Sequence, residues 1–347
     1  MRKADLIRFL VRLAWFLPFA GGLLLLNWIG AQPPVRRHLT PVLDSAAEAL
    51  VSGKTITCHA DMLDLKPIWL EHVQSKPDVV VLGSSRVAQI PHDWFAPRPM
   101  LNLALLAGDF ADAVAIFQKC LATGKTPKLV LLELNPTLTF EAKEWVAPAL
   151  APPYRRALLR YGILSPTLLW GPLNLDALRW NPQIFLRRQP WKVSATMDVG
   201  AYRLRPDGSA DWYGTDDPLT PDELEREVQS QIHSLAPKYQ YWRTSSRPDW
   251  FSHKVLGGFL DDLHARGIRV VVVLVPVHPA AYEFYRRQGG YDDSWIRKEM
   301  AVRGVPVVGA YAPSVAKAAR AEFFDDVHAH ASVLHRLLAG AGIIAGR

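Results

Sequence analysis

The chain has 347 residues, of which 49% are hydrophobic and 21% charged, a composition that supports a folded core and excludes an intrinsically disordered protein. The formal net charge is +7, and five of these seven excess charges lie within residues 2–37. Because so small an excess remains for residues 38–347, we exclude nucleic-acid binding, which needs a concentrated basic face.

The N-terminal region has the pattern of a membrane anchor. Residues 13–35 contain no charged side chain, and four basic residues precede them. That length suits a membrane-spanning helix, which needs roughly 20 apolar residues, and Trp15 and Trp28 suit its two interfaces. The positive-inside rule then predicts a cytoplasmic segment 1–12 and an external body, that is, a single-pass bacterial inner-membrane protein with a periplasmic C-terminal domain. A cleaved signal peptide ending near residues 29–31 is the alternative.

Residues 36–65 are predicted to form a juxtamembrane connector with a helical turn or more around residues 43–50. Cys58 and Cys120 would then lie in an oxidising compartment, where two cysteines can pair. A small buried thiol on a helix is an equally good interpretation of Cys120, which lies in an apolar helical pattern. Both interpretations stay open at this point.

From residue 66 onward, apolar runs alternate with helical patterns. The runs are rich in Val and Leu and occur at residues 78–85, 128–136, 268–279 and 305–311. Helical periodicity separates or follows them at residues 108–124, 249–267 and 331–340. Continuous apolar strands separated by helices indicate a parallel sheet covered on both faces. We therefore predict an α/β domain over residues 66–347, built as a three-layer α/β/α sandwich.

An insertion at about residues 150–245 interrupts this alternation. Residues 155–192 carry six arginines and one lysine against a single aspartate, interleaved with aromatic side chains. Residues 202–214 read as a hairpin that turns on Asp207 and Gly208. The insertion is either a helical cap with a solvated basic face or a surface for anionic glycan or lipid head groups.

The first apolar run stops at Gly83, Ser84 and Ser85. Strands commonly end at such residues, and serine often caps a following helix. The alternative is that one serine is a nucleophile held at a strand-to-helix turn. In open parallel sheets, ligands bind beyond the carboxyl ends of the strands, where Asn135 and His278 also lie.

A second motif lies near the C-terminus, in the stretch FFDDVHAH at residues 323–330. Asp325 and His328 are separated by two residues, so a turn places both on one side, and the carboxylate can orient the imidazole. Capping of the helix that begins near Ala329 is the simpler interpretation of Asp325.

Together these motifs resemble the SGNH, or GDSL-type, hydrolase superfamily, which implies a flavodoxin-like fold. The resemblance covers residues of about 78–137 and 268–340. The family has Gly-Asp-Ser where this chain has Gly83-Ser84-Ser85, so the resemblance implies that Ser85 is the nucleophile and that Ser84 replaces the usual aspartate.

The resemblance also implies the other residues of the site. Asp325 and His328 complete a catalytic triad with Ser85. The stretch NLALLAGDFADA is similar to the block that supplies a glycine amide, here Gly108, and LVLLELNPT to the block that supplies an asparagine side chain, here Asn135. The implied oxyanion hole therefore consists of the Ser85 and Gly108 backbone amides and the Asn135 side chain.

Other polar residues are less informative. Ser84 and His278 are candidates for the lining of the site, although a strand-end histidine satisfied by backbone groups is the more ordinary case. Glu133 lies in an apolar strand and is either a buried polar outlier or a site residue. The histidines within residues 328–335 lack the carboxylate or cysteine partners of a zinc set, so we predict no metal and no cofactor.

The Gly-Ser-Ser variant with a membrane anchor is similar to an extracytoplasmic branch that acetylates alginate and other exopolysaccharides or D-alanylates teichoic acids. This resemblance implies serine-dependent O-acyl transfer, as O-acetylation, to a cell-surface or secreted polysaccharide through an acyl-Ser85 intermediate. It also implies a multi-span membrane partner that delivers the acyl group. The alternatives are a polysaccharide O-acyl esterase and a non-catalytic scaffold of an exopolysaccharide synthesis or export complex.

Overall fold

The structure is a computed structural model that describes residues 18, 21–22, 41–58, 62–106, 108–135, 146, 150–163, 191–192, 202–212, 219–239 and 250–345. Its strands, in chain order, are β1 Ile56–Cys58, β2 Val79–Leu82, β3 Met100–Asn102, β4 Leu129–Glu133, β5 Trp191–Lys192, β6 Tyr202–Leu204, β7 Ala210–Trp212, β8 Arg269–Leu274 and β9 Val307–Gly309. Its helices are α1 Pro41–Val51, α2 Met62–His72, α3 Ser85–Ala88, α4 Phe110–Ala122, α5 Ala151–Arg160, α6 Pro221–Tyr239, α7 Trp250–Ala265, α8 Pro279–Arg287, α9 Ser294–Val302 and α10 Ala331–Gly340, with short 3-10 segments at His92–Phe95 and Arg320–Glu322.

The main sheet has five parallel strands in the order β3-β2-β4-β8-β9. Four of its strands are the apolar runs predicted from the sequence, and β2 and β4 are buried at every position because both of their faces are covered. By rank along the chain the order is 2-1-3-4-5, one of the common orders of doubly wound sheets. The fold is thus mixed α/β with a parallel sheet and is compatible with the predicted three-layer sandwich.

A second, antiparallel sheet has the order β5-β1-β6-β7. β6 and β7 form the predicted hairpin, which turns at Asp207 and Gly208. β1 belongs to residues 36–65, and α1 before it contributes fully buried alanines and Leu50 to the core. The described part of the predicted connector is therefore a folded part of the domain, because its apolar residues pack against α2.

The hairpin tip docks beside the carboxyl end of β3. The Asn102 amide donates to the Asp207 carbonyl at 2.8 Å, and the His92 amide donates to Asp207 Oδ2 at 2.6 Å. Gly208 has φ +82°, and a Cβ there would lie 2.4 Å from the Asn102 oxygen and 2.7 Å from the Trp69 ring. Glycine is required at this position by both the backbone conformation and the close approach.

Several predictions lie largely outside the described residues. The predicted span 13–35 is described at three positions only, and most of the basic segment 155–192 is not described. Among the residues that are described, no helix combines the length and apolar character needed to cross a membrane. Cys58 and Cys120 are both buried, and the Cys120 Sγ donates to the Lys125 carbonyl at 3.2 Å. The interpretation of Cys120 as a small buried thiol is confirmed.

Candidate active site

Ser85, His328 and Asp325 form one hydrogen-bonded chain, although 243 residues separate the serine from the histidine. Ser85 Oγ lies 2.7 Å from His328 Nε2, and His328 Nδ1 lies 2.6 Å from Asp325 Oδ2. A neutral imidazole with its proton on Nδ1 donates to the carboxylate and accepts the serine hydroxyl through Nε2. This is the relation of nucleophile, general base and orienting carboxylate.

The two adjacent serines have different surroundings. Ser84 is 5% exposed and caps α3, its Oγ accepting from the Arg86 amide at 3.4 Å. Ser85 is the only residue of 79–90, all of them described, that is not buried. Ser84 therefore caps the helix, as the simpler interpretation predicts, while Ser85 faces the histidine from a partly exposed position, where the alternative places a nucleophile.

A tight loop before α10 presents His328. The Phe324 amide donates to the His328 carbonyl at 2.9 Å, and Phe323 and Ala329 form an isolated antiparallel bridge. Gln89, at the end of α3, donates from Nε2 to the Ala329 carbonyl at 2.5 Å. This bond ties the short helix that begins with Ser85 to the loop that holds His328.

Asp325 contacts the backbone of its own turn as well as the imidazole. Its Oδ1 accepts from the amides of Val327 at 2.9 Å and His328 at 2.7 Å, which closes the turn. Burial raises the pKa of Asp325, but the facing His328 and these amide donors outweigh burial and hold that pKa at about 2. Burial lowers the pKa of His328, but the charge and hydrogen bond of Asp325 dominate and raise that pKa above its usual value.

The next residue, Asp326, points elsewhere. Its Oδ2 accepts from the Tyr285 hydroxyl at 2.7 Å, and burial followed by the neighbouring Asp325 charge raises its pKa to about 6. His278, predicted as a lining candidate, is buried, and its Nδ1 accepts from the Ala280 amide at 3.3 Å to cap α8. This strand-end histidine is therefore hydrogen-bonded to a backbone group, which is the more ordinary of the two interpretations.

The three predicted oxyanion donors are placed differently. The Ser85 amide opens α3, and Asn135 follows β4 by one intervening residue, so both lie at carboxyl ends of neighbouring strands. The Gly108 amide donates to the Leu105 carbonyl at 3.1 Å. Because an amide has one hydrogen, Gly108 would have to leave this turn to serve an oxyanion, and its role stays a prediction.

Asn102, in β3, supports the helix that begins with Ser85, a role that was not predicted from the sequence. Its Nδ2 lies 3.0 Å from each of the carbonyls of Val87, Ala88 and Ile90, and its Oδ1 accepts from the Ala104 amide at 3.0 Å. One fully buried amide thus fixes the end of α3. The signal available in the sequence was a single polar residue within the run MLNLALL.

Lys66 lies beneath residues 102–104, which lead from β3 into the next loop, and its role was also not predicted from the sequence. It is fully buried in α2, and its Nζ donates to the carbonyls of Asn102, at 3.0 Å, and Ala104. Burial lowers the pKa of Lys66 to about 7, partly offset by the charge of Asp207. A lysine at a core position of an apolar helix was the available signal.

No protein-family model, no curated protein and no solved structure matches this chain. In the described part of the chain, no cluster of three or more His, Cys, Asp or Glu side chains has the arrangement to hold a metal ion. Ser85, His328 and Asp325 have the arrangement that can activate a hydroxyl for attack on an acyl carbon.

Proposed function

We propose that this chain is a serine-dependent acyltransferase of SGNH hydrolase type, which O-acylates, most simply O-acetylates, an extracytoplasmic polysaccharide. The observation that carries the proposal is the unbroken contact from Ser85 through His328 to Asp325. The side chains of His328 and Asp325 are 17% and 20% exposed, so the pair is shielded but open to an entering substrate.

The reaction proceeds in two balanced steps. Ser85 Oγ attacks the acyl carbon of a donor ester or thioester while its proton passes to His328 Nε2. The bond to the leaving group then breaks, and His328 returns the proton to that group, leaving acyl-Ser85. In the second step a sugar hydroxyl gives its proton to His328 and attacks the acyl carbon. The bond between the acyl carbon and Ser85 Oγ then breaks, and His328 returns the proton to Oγ, which leaves free Ser85 and the O-acyl sugar.

Each tetrahedral intermediate carries a negative oxygen that needs hydrogen-bond donors. In the proposal, the Ser85 amide and the Asn135 side chain supply two of them, and Gly108 supplies a third once its amide leaves the Leu105 carbonyl. Loss of one such donor typically lowers the rate by about 10²–10³-fold. Asn135→Ala is therefore expected to slow the chemical step while Ser85 and His328 remain in place.

The proposal includes a membrane anchor at residues 13–35 and a membrane-spanning partner. Its support is the uncharged segment after four basic residues, since the positive-inside rule then directs the rest of the chain outward. An external enzyme receives activated acyl groups from the cytoplasm only through a membrane-spanning carrier. A reporter fused after Arg347 is expected to be active only if it is of a kind that works outside the cytoplasm.

Deletion and complementation test the proposal. Removing the gene is expected to abolish O-acyl groups on the surface polymer, measured by NMR of the purified polysaccharide, and to leave the polymer yield unchanged. Wild type and Ser52→Ala, which changes an exposed serine at the end of α1, should restore acylation, and Ser85→Ala should not. Increased acylation in the deletion strain would identify an esterase, and unchanged acylation with lost polymer export would identify a scaffold.

A further inference from the structure

One buried carboxylate lies beneath the nucleophile. Glu133 ends β4 and is 4% exposed. Its Oε2 accepts from the Ser84 amide at 2.6 Å and from Ser84 Oγ at 2.8 Å, and its Oε1 lies 3.8 Å from Arg86 Nε. The residues on both sides of Ser85 therefore contact the same carboxylate, while Ser85 itself points to His328.

Arg86 extends this contact to a third strand. The side chain is 1% exposed, and its Nη2 donates to the carbonyls of Val275 and, at 3.4 Å, Pro276, which directly follow β8. Arg86 and Glu133 thus join the ends of two neighbouring strands, β4 and β8, to the turn that begins α3. The orientation of that turn is therefore set by contacts at the ends of two sheet strands.

Gly83 leaves the space that Glu133 needs. Its φ is +149°, and a Cβ at this position would lie 2.5 Å from both Cβ and Oε2 of Glu133. Real side chains essentially never approach so closely, so residue 83 lacks a side chain where the carboxylate reaches the Ser84 amide. The glycine of the Gly-Ser-Ser motif is explained by the carboxylate beneath it.

We propose that Glu133, paired with Arg86, is a positioning residue that holds Ser85 Oγ toward His328 and balances the Arg86 charge near that histidine. The inference rests on the proposed role of Ser85 as nucleophile. Structural stability alone is a weak reason for such a pair, because well-packed apolar residues are often as stabilising as a buried ion pair. A fixed, charge-balanced turn is what a nucleophile requires, since a displacement of 1 Å can cost about 10²-fold in rate.

The charges around His328 make the inference measurable. The positive charge of Arg86 lowers the pKa of His328, whereas Asp325 and Asp326 raise it. Glu133 offsets the Arg86 charge at 3.8 Å. Removing the negative charge of Glu133 leaves Arg86 uncompensated, so the pKa of His328 is expected to fall.

Two substitutions in the purified full-length chain separate charge from reach. Glu133→Gln keeps the shape and removes the charge, and Glu133→Asp keeps the charge and is one methylene too short to reach Ser84. Asp262→Asn is the matched control, because it also removes a carboxylate that is paired with an arginine. Asp262, on α7, accepts from Arg160 at 2.9 Å and contacts no triad residue. The measurements are the rate of labelling by a fluorophosphonate and the titration of His328 by NMR of ¹⁵N-labelled histidine.

We expect Glu133→Gln to lower the pKa of His328, and Glu133→Asp to leave that pKa unchanged and slow labelling by about 10–10²-fold. Asp262→Asn should match wild type in both. An unchanged His328 titration in Glu133→Gln together with wild-type labelling in Glu133→Asp would overturn the inference. Wild-type protein that takes no label at Ser85 would contradict the proposed function instead, and the NMR titration still tests the coupling of Glu133 to His328. If Glu133→Gln does not fold, Glu133→Asp decides.

Discussion

Replacing Asp325 by asparagine tests the roles of the three residues, because it exchanges one carboxylate oxygen for an NH₂ group and keeps the oxygen that closes the turn. Asparagine keeps an oxygen at the position of Oδ1, which accepts from the Val327 and His328 amides. It places an NH₂ group where Oδ2 now lies 2.6 Å from His328 Nδ1. The imidazole must then accept at Nδ1 and carry its proton on Nε2, where it no longer accepts the Ser85 hydroxyl.

The expected loss follows from two contributions. A carboxylate and an imidazolium about 4 Å apart attract each other by about 4 kcal/mol at an effective dielectric constant of 20, equivalent to about 10³ in rate. The wrong tautomer adds to this loss, and the comparable substitution in serine hydrolases costs about 10⁴-fold. We therefore expect Asp325→Asn to slow labelling of Ser85 by about 10³–10⁴-fold in a protein that still folds.

The assay is the second-order rate constant of fluorophosphonate labelling, read by intact mass, with circular dichroism to confirm folding. Ser85→Ala gives the background. A folded Asp325→Asn protein that labels within tenfold of wild type would refute the assignment of Asp325 as the orienting carboxylate. Asp326→Asn, which alters the neighbouring carboxylate that faces Tyr285, distinguishes the two acids of the motif.

Three further predictions concern pH and two glycines. The pKa of His328 is raised above 6.5 and the base must be neutral, so the rate–pH profile of labelling should fall in acid with a midpoint above pH 6.5. Gly83→Ala places a Cβ 2.5 Å from Glu133, so thermal unfolding should show a loss of about 1–3 kcal/mol for the backbone and about as much for overpacking. Gly208→Ala places a Cβ 2.4 Å from the Asn102 oxygen and should cost similar stability by the same measurement, with a smaller effect on labelling.

Gly124→Ala is the control for both glycines. Gly124 also has a positive φ, +76°, but a Cβ there would meet nothing within 4 Å among the described residues. It should therefore pay only the backbone cost of about 1–3 kcal/mol. If Gly83→Ala or Gly208→Ala were no less stable than Gly124→Ala, the close approaches at residues 83 and 208 would be contradicted.

For the pH profile, a labelling midpoint below pH 6.5 would contradict the conclusion that Asp325 raises the pKa of His328 by more than burial lowers it.

The central strands could be predicted because their burial on both faces leaves a readable pattern. Residues 79–82 and 129–133 are continuous apolar runs, and parallel strands flanked by helices have this composition. β3 has three residues and produces no comparable run, so it was not predicted. Of the second sheet, only the hairpin of β6 and β7 was predicted, because β1 pairs with strands more than 130 residues away, and such pairing leaves no local signal.

The contact of Ser85 with His328 and Asp325 could be predicted from the motifs and their order along the chain, but the side chains that support it could not. Ser85 and His328 stand out by residue type at predictable places in the fold. Glu133 was visible as an acid in a strand, yet whether it faced the site depended on the packing of Arg86 against the end of β8. Lys66 likewise has its carbonyl partners in another part of the chain. Contacts between distant segments decide these roles.

Trapping the acyl-enzyme and locating the modified residue tests the proposed role of Ser85 most directly. Full-length protein is mixed with an activated acetyl ester, quenched in acid, digested and mapped by mass spectrometry. We expect one added acetyl group on Ser85, no adduct in folded Ser85→Ala, and a retained adduct in Ser84→Ala. An acetyl group on Ser84, or an adduct that persists in Ser85→Ala, would contradict the claim that Ser85 is the nucleophile.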